Sequence, residues 1–233
     1  MSELLEKFSG IKHLPIFPLP LVMVPGELVP LHIFEERYRK MLRDVEAGGG
    51  FFGLSYFEPS SDLIEAPATG SVGCVAELRE SELMPDGRSN ILTLGIVRYR
   101  LVDLIEAGEP YLVGDLEFFE DVIEGETEVE LIADEVFALF ERMAKAAFKL
   151  SGGRGEAPEI LRTSPEALSF LITAALNFDT EKKYKLLTMT STIERLDALK
   201  EVLTRAVGPM EESADIHTVS HTNGHSKKKL DLS

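Results

Sequence analysis

Three histidines, His217, His221 and His225, stand four residues apart near the C-terminus. On a helix that spacing stacks imidazoles on one face, where they could hold a metal ion. Their neighbours Thr218, Val219, Thr222, Asn223 and Gly224 are poor helix formers, so the run reads as polar tail, and no metal or other cofactor is expected. Gly48-Gly49-Gly50 could suggest a phosphate loop, but no Lys-Ser or Lys-Thr follows it; it reads as a helix stop. Cys74 is the single cysteine, which rules out an intrachain disulfide and a Cys-rich zinc site. Flanked by Val72, Gly73 and Val75, it reads as a buried strand residue. The chain contains no G-x-S-x-G, H-E-x-x-H or G-x-x-x-x-G-K-[ST], and no Ser or Cys stands beside an evident base. Forty acidic residues are too many for any pair of carboxylates to be singled out. What remains is the chemistry of recognition. Glu36 and Arg37 could meet a ligand's charges, as could Arg98 and Arg100; each also has a plainer role in an internal or surface ion pair, and His32 in a hydrogen bond to a nearby carbonyl.

These residues sit in a chain of 233 residues, 44% hydrophobic, with a formal charge of −16, ample for a packed core. So negative a field repels phosphate backbones, which makes nucleic acid a disfavoured partner. The opening MSELLEKFSG lacks a basic segment followed by an apolar block, and no run of about eighteen apolar residues occurs. The expectation is a cytoplasmic protein without a membrane span.

Two halves differ in pattern. Residues 14–38, LPIFPLPLVMVPGELVPLHIFEERY, carry Pro15, Pro18, Pro20, Pro25 and Pro30 among strand-forming side chains. Proline has no N–H to donate and a fixed φ, so the segment is expected at a sheet edge or as a repeatedly bent rim. Phe34, Tyr38, Met41, Leu42 and Val45 follow at helical spacing. Strands are expected at 51–57, 72–78, 91–105 and around 112–119, with a hairpin turn at Pro85-Asp86-Gly87. Gly95 marks a bulge or close backbone approach. Val97, Tyr99 and Leu101 alternate with Arg98 and Arg100, which places the arginines on the opposite face. The pattern predicts a small β-barrel with one helix.

From about Thr127 the pattern becomes helical. Ile132, Val136, Leu139, Phe140, Met143, Ala147 and Leu150 form one stripe; Ser164-Pro165-Glu166 starts a second helix, Thr180 caps a third, and Ser191 with Glu194 opens a fourth, stopped by Gly208-Pro209. The expected organisation is α+β: a β domain over 1–123, a helical bundle over 124–208 and a disordered tail over 209–233.

LPIFPLPLVMVPGELVPLHIFEERYRKML, then GSVGCVAEL, DGRSNILTLGIVRYRL and PYLVGDLEFFED, in this order and spacing, resemble the N-terminal substrate-binding domain of Lon-type ATP-dependent proteases. The resemblance covers about residues 12–121 and continues into the helices. It implies a PUA-like barrel followed by a helical bundle. It also implies a non-enzymatic, stand-alone version of the domain that binds unfolded or damaged polypeptide, without the ATPase and Ser/Lys peptidase of the full-length proteases. A groove with apolar walls, formed by the barrel together with the helical bundle, is expected near Phe17, Leu19, Leu21 and Phe34, with Arg37 as a candidate for a ligand's charge. Competing expectations are RNA binding, a small-molecule binder or cryptic hydrolase, and an adaptor to a separate protease or ATPase.

Overall fold

In the computed structural model, which describes residues 3–58, 66–153 and 155–223, the expected rim strand is two strands. β1 (His13–Leu19) and β2 (Leu28–Ile33) are followed by α2 (Glu36–Ala47), β3 (Phe51–Tyr56), β4 (Val72–Leu83), β5 (Ser89–Ile105) and β6 (Leu112–Phe119), with α1 (Glu3–Phe8) at the start. They form one six-stranded sheet in the order β2-β5-β4-β3-β1-β6, in which β5 also pairs with β6. The run of pairings β5–β4–β3–β1–β6 therefore returns to β5, and β2 hangs outside it.

β1 corrects the edge expectation, because it has neighbours on both sides. It pairs antiparallel with β6 over His13–Ile16 and parallel with β3 over Ile16–Leu19. Only Ile16 has both partners. Pro15 and Pro18 each lie in a half with a single partner, leaving a side on which the missing N–H deletes no ladder bond. Pro30 does lie on an edge strand, since among the described residues β2 pairs with β5 alone. Between the two strands the chain turns at Pro25-Gly26, with Gly26 at φ 79°, a value glycine adopts without strain.

Gly95 is a place of close approach. An added Cβ there would run into the Val24 carbonyl, the β4–β5 register shifts opposite it, and its N–H donates to the Glu27 carbonyl at 2.9 Å. Of the helical stripe, Tyr38, Met41, Leu42 and Val45 are buried against the sheet. Phe34 is 60% exposed, because it precedes the N-cap residue Glu35 and so lies off the helix face.

The chain divides into two compact units, residues 1–123 with 169–192, and 124–168 with 193–233. Residues 169–192, expected within the helical bundle over 124–208, thus group with the strands. Helices α3 (Glu126–Leu150), α4 (Pro165–Ala175), α5 (Thr180–Thr188) and α6 (Thr192–Asn223) follow β6. Asp179, one residue before the expected cap, accepts the Lys182 N–H. The expected stop at Gly208-Pro209 is overturned: α6 runs through Pro209 to Asn223. Leu203 and Val207 before the proline and Ala214 after it are all buried, so packing offsets the one backbone hydrogen bond that proline removes. In the second unit Arg142 grips Glu211 through two hydrogen bonds of 2.9 and 2.8 Å. His225 and Lys227-Lys228-Lys229 lie outside the described residues.

Candidate functional site

The parallel pairing of β1 with β3 sets their C-terminal ends side by side, Leu19 opposite Tyr56, and the Phe57 N–H donates to the Leu19 carbonyl at 2.9 Å. The β2–α2 junction supplies the other wall. Between them lies a concavity of about 250 Å³ whose walls include Phe17, Leu19, Phe34, Arg37, Tyr38 and Phe57.

Four of the five residues expected from the sequence line this cleft. Phe17 is almost fully buried and packs on Tyr38 with ring centroids 4.3 Å apart, so it forms the floor. Leu19 is half-buried and Phe34 exposed at the lip. Phe34 stacks on His32 at 6.1 Å, and His32 Nδ1 lies 2.7 Å from Asn90 Oδ1. Arg37 donates from Nε to Glu35 at 2.9 Å with its guanidinium 4.6 Å over the Tyr38 ring. Leu21 does not line the cleft; it packs, partly buried, against the cluster beneath α2. Tyr38 was legible only as a core residue. Phe57 carried no local signal as a wall residue, because it depends on a pairing between strands far apart in sequence.

The helix that carries Arg37 and Tyr38 is pinned one turn further on. Lys40 bonds Asp44 at 2.6 Å and Glu109 at 2.9 Å, and the Tyr111 hydroxyl donates to Asp44 at 2.7 Å. The hydrogen bond from Lys40, then that from Tyr111, holds the Asp44 carboxyl below its ordinary value. Burial, followed by the bond to Asp44, pushes the Tyr111 hydroxyl up to about 12. Burial likewise pushes the Cys74 thiol up to about 12, so the thiol is protonated at neutral pH and is not a nucleophile.

Arg98 cannot face a ligand. The expected exposed side of β5 is covered at this position, and the side chain is 1% exposed against Asp121 at 2.5 Å. Arg100 is exposed and donates to the Gly70 carbonyl at 3.2 Å. In the second unit a larger concavity of about 670 Å³ is lined by both cations and acids, and Arg142, Lys145 and Lys149 are paired with Glu211, Glu141 and Asp215. Among the described residues no group of three or more His, Cys, Asp or Glu could hold a metal ion, and no helix is long and apolar enough to cross a membrane.

The first unit is thus a mixed six-stranded sheet with a packed helix and a largely apolar cleft. The chain belongs to the ATP-dependent protease La (LON) substrate-binding domain family, whose model matches residues 13–205. Its fold is that of Lon N-terminal domains. A Lon N-terminal domain protein from Xanthomonas campestris is similar with a TM-score of 0.59 at 23% identity, over 81% of this chain and 97% of that one. The N-terminal domain of a Mycobacterium avium complex Lon protease gives 0.60 at 15% identity, over 84% and 100%. The Lon protease of Cytophaga hutchinsonii is 24% identical over 228 residues, 94% of this chain and 27% of its own length. That of Dictyoglomus thermophilum is 26% identical over 208 residues, 85% and 25%. The chain thus spans about a quarter of the length of these relatives.

Proposed function

We propose that this chain is a non-catalytic module that binds unfolded or damaged polypeptide in the cleft between the β1 and β3 ends and the β2–α2 junction. One observation carries the reading: the Phe34 ring, 60% exposed, stands at the lip of a cleft walled by Phe17, Tyr38 and Phe57. Burying an aromatic ring of this size is worth roughly 2 kcal/mol relative to leaving it in water, which an inserted apolar side chain would recover. Arg37 and Glu35 at the rim neutralise each other, so the cleft selects by apolarity more than by charge. The family's description as a substrate-binding domain supports the same reading.

The closed run of sheet pairings supports reading the sheet as a PUA-like barrel. Transfer of the bound chain to an ATP-dependent protease is a role that the family's description as a domain of such a protease supports, and our reading places it in the cytoplasm. RNA is the poorer ligand for such a barrel here, given the net charge of −16 and the burial of Arg98.

The test is fluorescence anisotropy with a permanently unfolded, reduced and carboxymethylated protein as probe. Phe34→Ala should weaken binding about tenfold without lowering the melting temperature, since the ring is exposed. Parental affinity in both Phe34→Ala and Phe34→Asp, or cross-links that map away from the cleft, would overturn the proposal.

A further inference from the structure

The cleft opens onto a second surface. In the sheet made by β2, the first half of β5 and the outer half of β4, cross-strand partners run Leu28–Leu94–Glu77, Pro30–Leu92–Glu80 and His32–Asn90–Glu82. Residues directly opposite one another share a face, and the His32–Asn90 bond agrees with this. The other face, with Val29, Leu31, Ile33, Leu78 and Ile91, packs on the core beneath α2. The first face is open: Leu28 is 58% exposed, Pro30, His32, Glu80 and Glu82 are exposed, and Leu92 and Leu94 are half-buried. Phe34, stacked on His32, joins this face to the cleft.

Apolar and acidic groups stand here in separate columns. Leu28, Pro30, Leu92 and Leu94 form one; Glu77, Glu80 and Glu82 form the other. Glu77 is occupied by Arg79 at 2.6 Å and Lys7 at 3.9 Å. Glu80 and Glu82 pair with no cation among the described residues. They are two residues apart on one strand, roughly 7 Å, the distance at which alternate side chains repeat in any extended segment. Addition of a strand to the edge of β2, which has no neighbour among the described residues, is opposed by Pro30, which lacks the N–H a new neighbour would need. A visiting chain is therefore expected to lie across the face and not to extend the sheet.

We infer that this face selects, among segments bound at the cleft, extended ones that carry Lys or Arg at alternate positions beside their apolar residues. The inference rests on the cleft being a polypeptide site. It is tested with two short fluorescent peptides that share one Phe- and Leu-rich core, one flanked by alternating lysines and the other by alternating glutamates. The lysine peptide should bind about three- to tenfold more tightly, with the difference shrinking at about 0.5 M salt. Glu80→Lys/Glu82→Lys should reverse the preference. Glu106→Lys/Glu117→Lys, which makes the same change in net charge at exposed residues elsewhere on the unit, should keep it. A preference that survives the first double variant, or that the second abolishes equally, overturns the inference. If both peptides bind equally and Phe34→Ala weakens both, selection by charge is wrong and the cleft stands. If neither peptide binds, the cleft reading fails and this inference fails with it.

Discussion

Arg98 is a cation removed from water, and its surroundings explain how the fold tolerates it. Its guanidinium meets the Asp121 carboxylate at 2.5 Å and the carbonyls of Leu187 and Met189 at 3.2 and 2.5 Å. The rings of Phe119 and Phe170 flank it at 4.6 and 5.1 Å, and Asp121 also accepts the Thr192 hydroxyl. Removing one member of such a pair strands the other charge in the interior, which costs about 3–5 kcal/mol. Urea denaturation should therefore show Arg98→Met and Asp121→Asn each destabilised by roughly that amount. The double variant should lose less than the sum, because no orphaned charge remains. A loss under about 1 kcal/mol in both single variants would show that the pair is screened as at a surface. The sequence displayed Arg98 only as the polar member of an alternation. Its partners lie 23, 89 and 91 residues away, and a period-two pattern holds no information about what covers its second face.

At the scale of elements, what repeats locally was readable and what pairs at a distance was not. The buried face of α2 follows from the spacing of Tyr38, Met41, Leu42 and Val45. The β4–β5 reversal follows from Pro85-Asp86-Gly87, where Gly87 has φ 81° and its N–H donates to Met84 at 2.9 Å. The division of β1 between β6 and β3 was hidden, because five prolines restrict hydrogen bonding without naming a partner. The cleft was accordingly half legible: Phe17, Leu19 and Phe34 stood out by apolar density, whereas Phe57 depends on the parallel pairing. Strand packing also fixes where small residues are required. At Gly73, paired with Tyr99 across β4 and β5, an added Cβ would fall 2.6 Å from the Leu54 carbonyl oxygen and into the Tyr99 ring. The obstacle is partly backbone, which cannot turn aside as a flexible side chain would. Gly73→Ala should cost about 1–3 kcal/mol, read as a lower urea midpoint. An unchanged midpoint would mean that the sheet yields at this crossing.

For the whole molecule, the consequence concerns which residues make a folding unit. The sequence placed a boundary near residue 123, where strand patterns give way to helical ones. The first compact unit, however, also takes in residues 169–192. That segment packs Phe170 and Leu187 on Val22, Val24 and Val72. Its Tyr184 hydroxyl oxygen accepts the Val72 N–H at 3.1 Å, its Lys183 pairs with Glu27 at 2.5 Å, and it supplies both carbonyls that Arg98 contacts. Two large apolar side chains at about 1.5–3 kcal/mol each, and two hydrogen bonds to a buried cation at about 1.5–3 kcal/mol each, together rival the ~5–15 kcal/mol margin of a typical domain. A fragment of residues 1–123 would keep all six strands and still lack this cover. It should show poorly dispersed amide resonances and no cooperative urea transition, whereas a 1–223 fragment, which keeps α6 to its end, should keep both dispersion and cooperativity. If the shorter fragment instead unfolds cooperatively at the parent's midpoint, the strands hold themselves together. Residues 169–192 would then be ornament on a self-sufficient sheet.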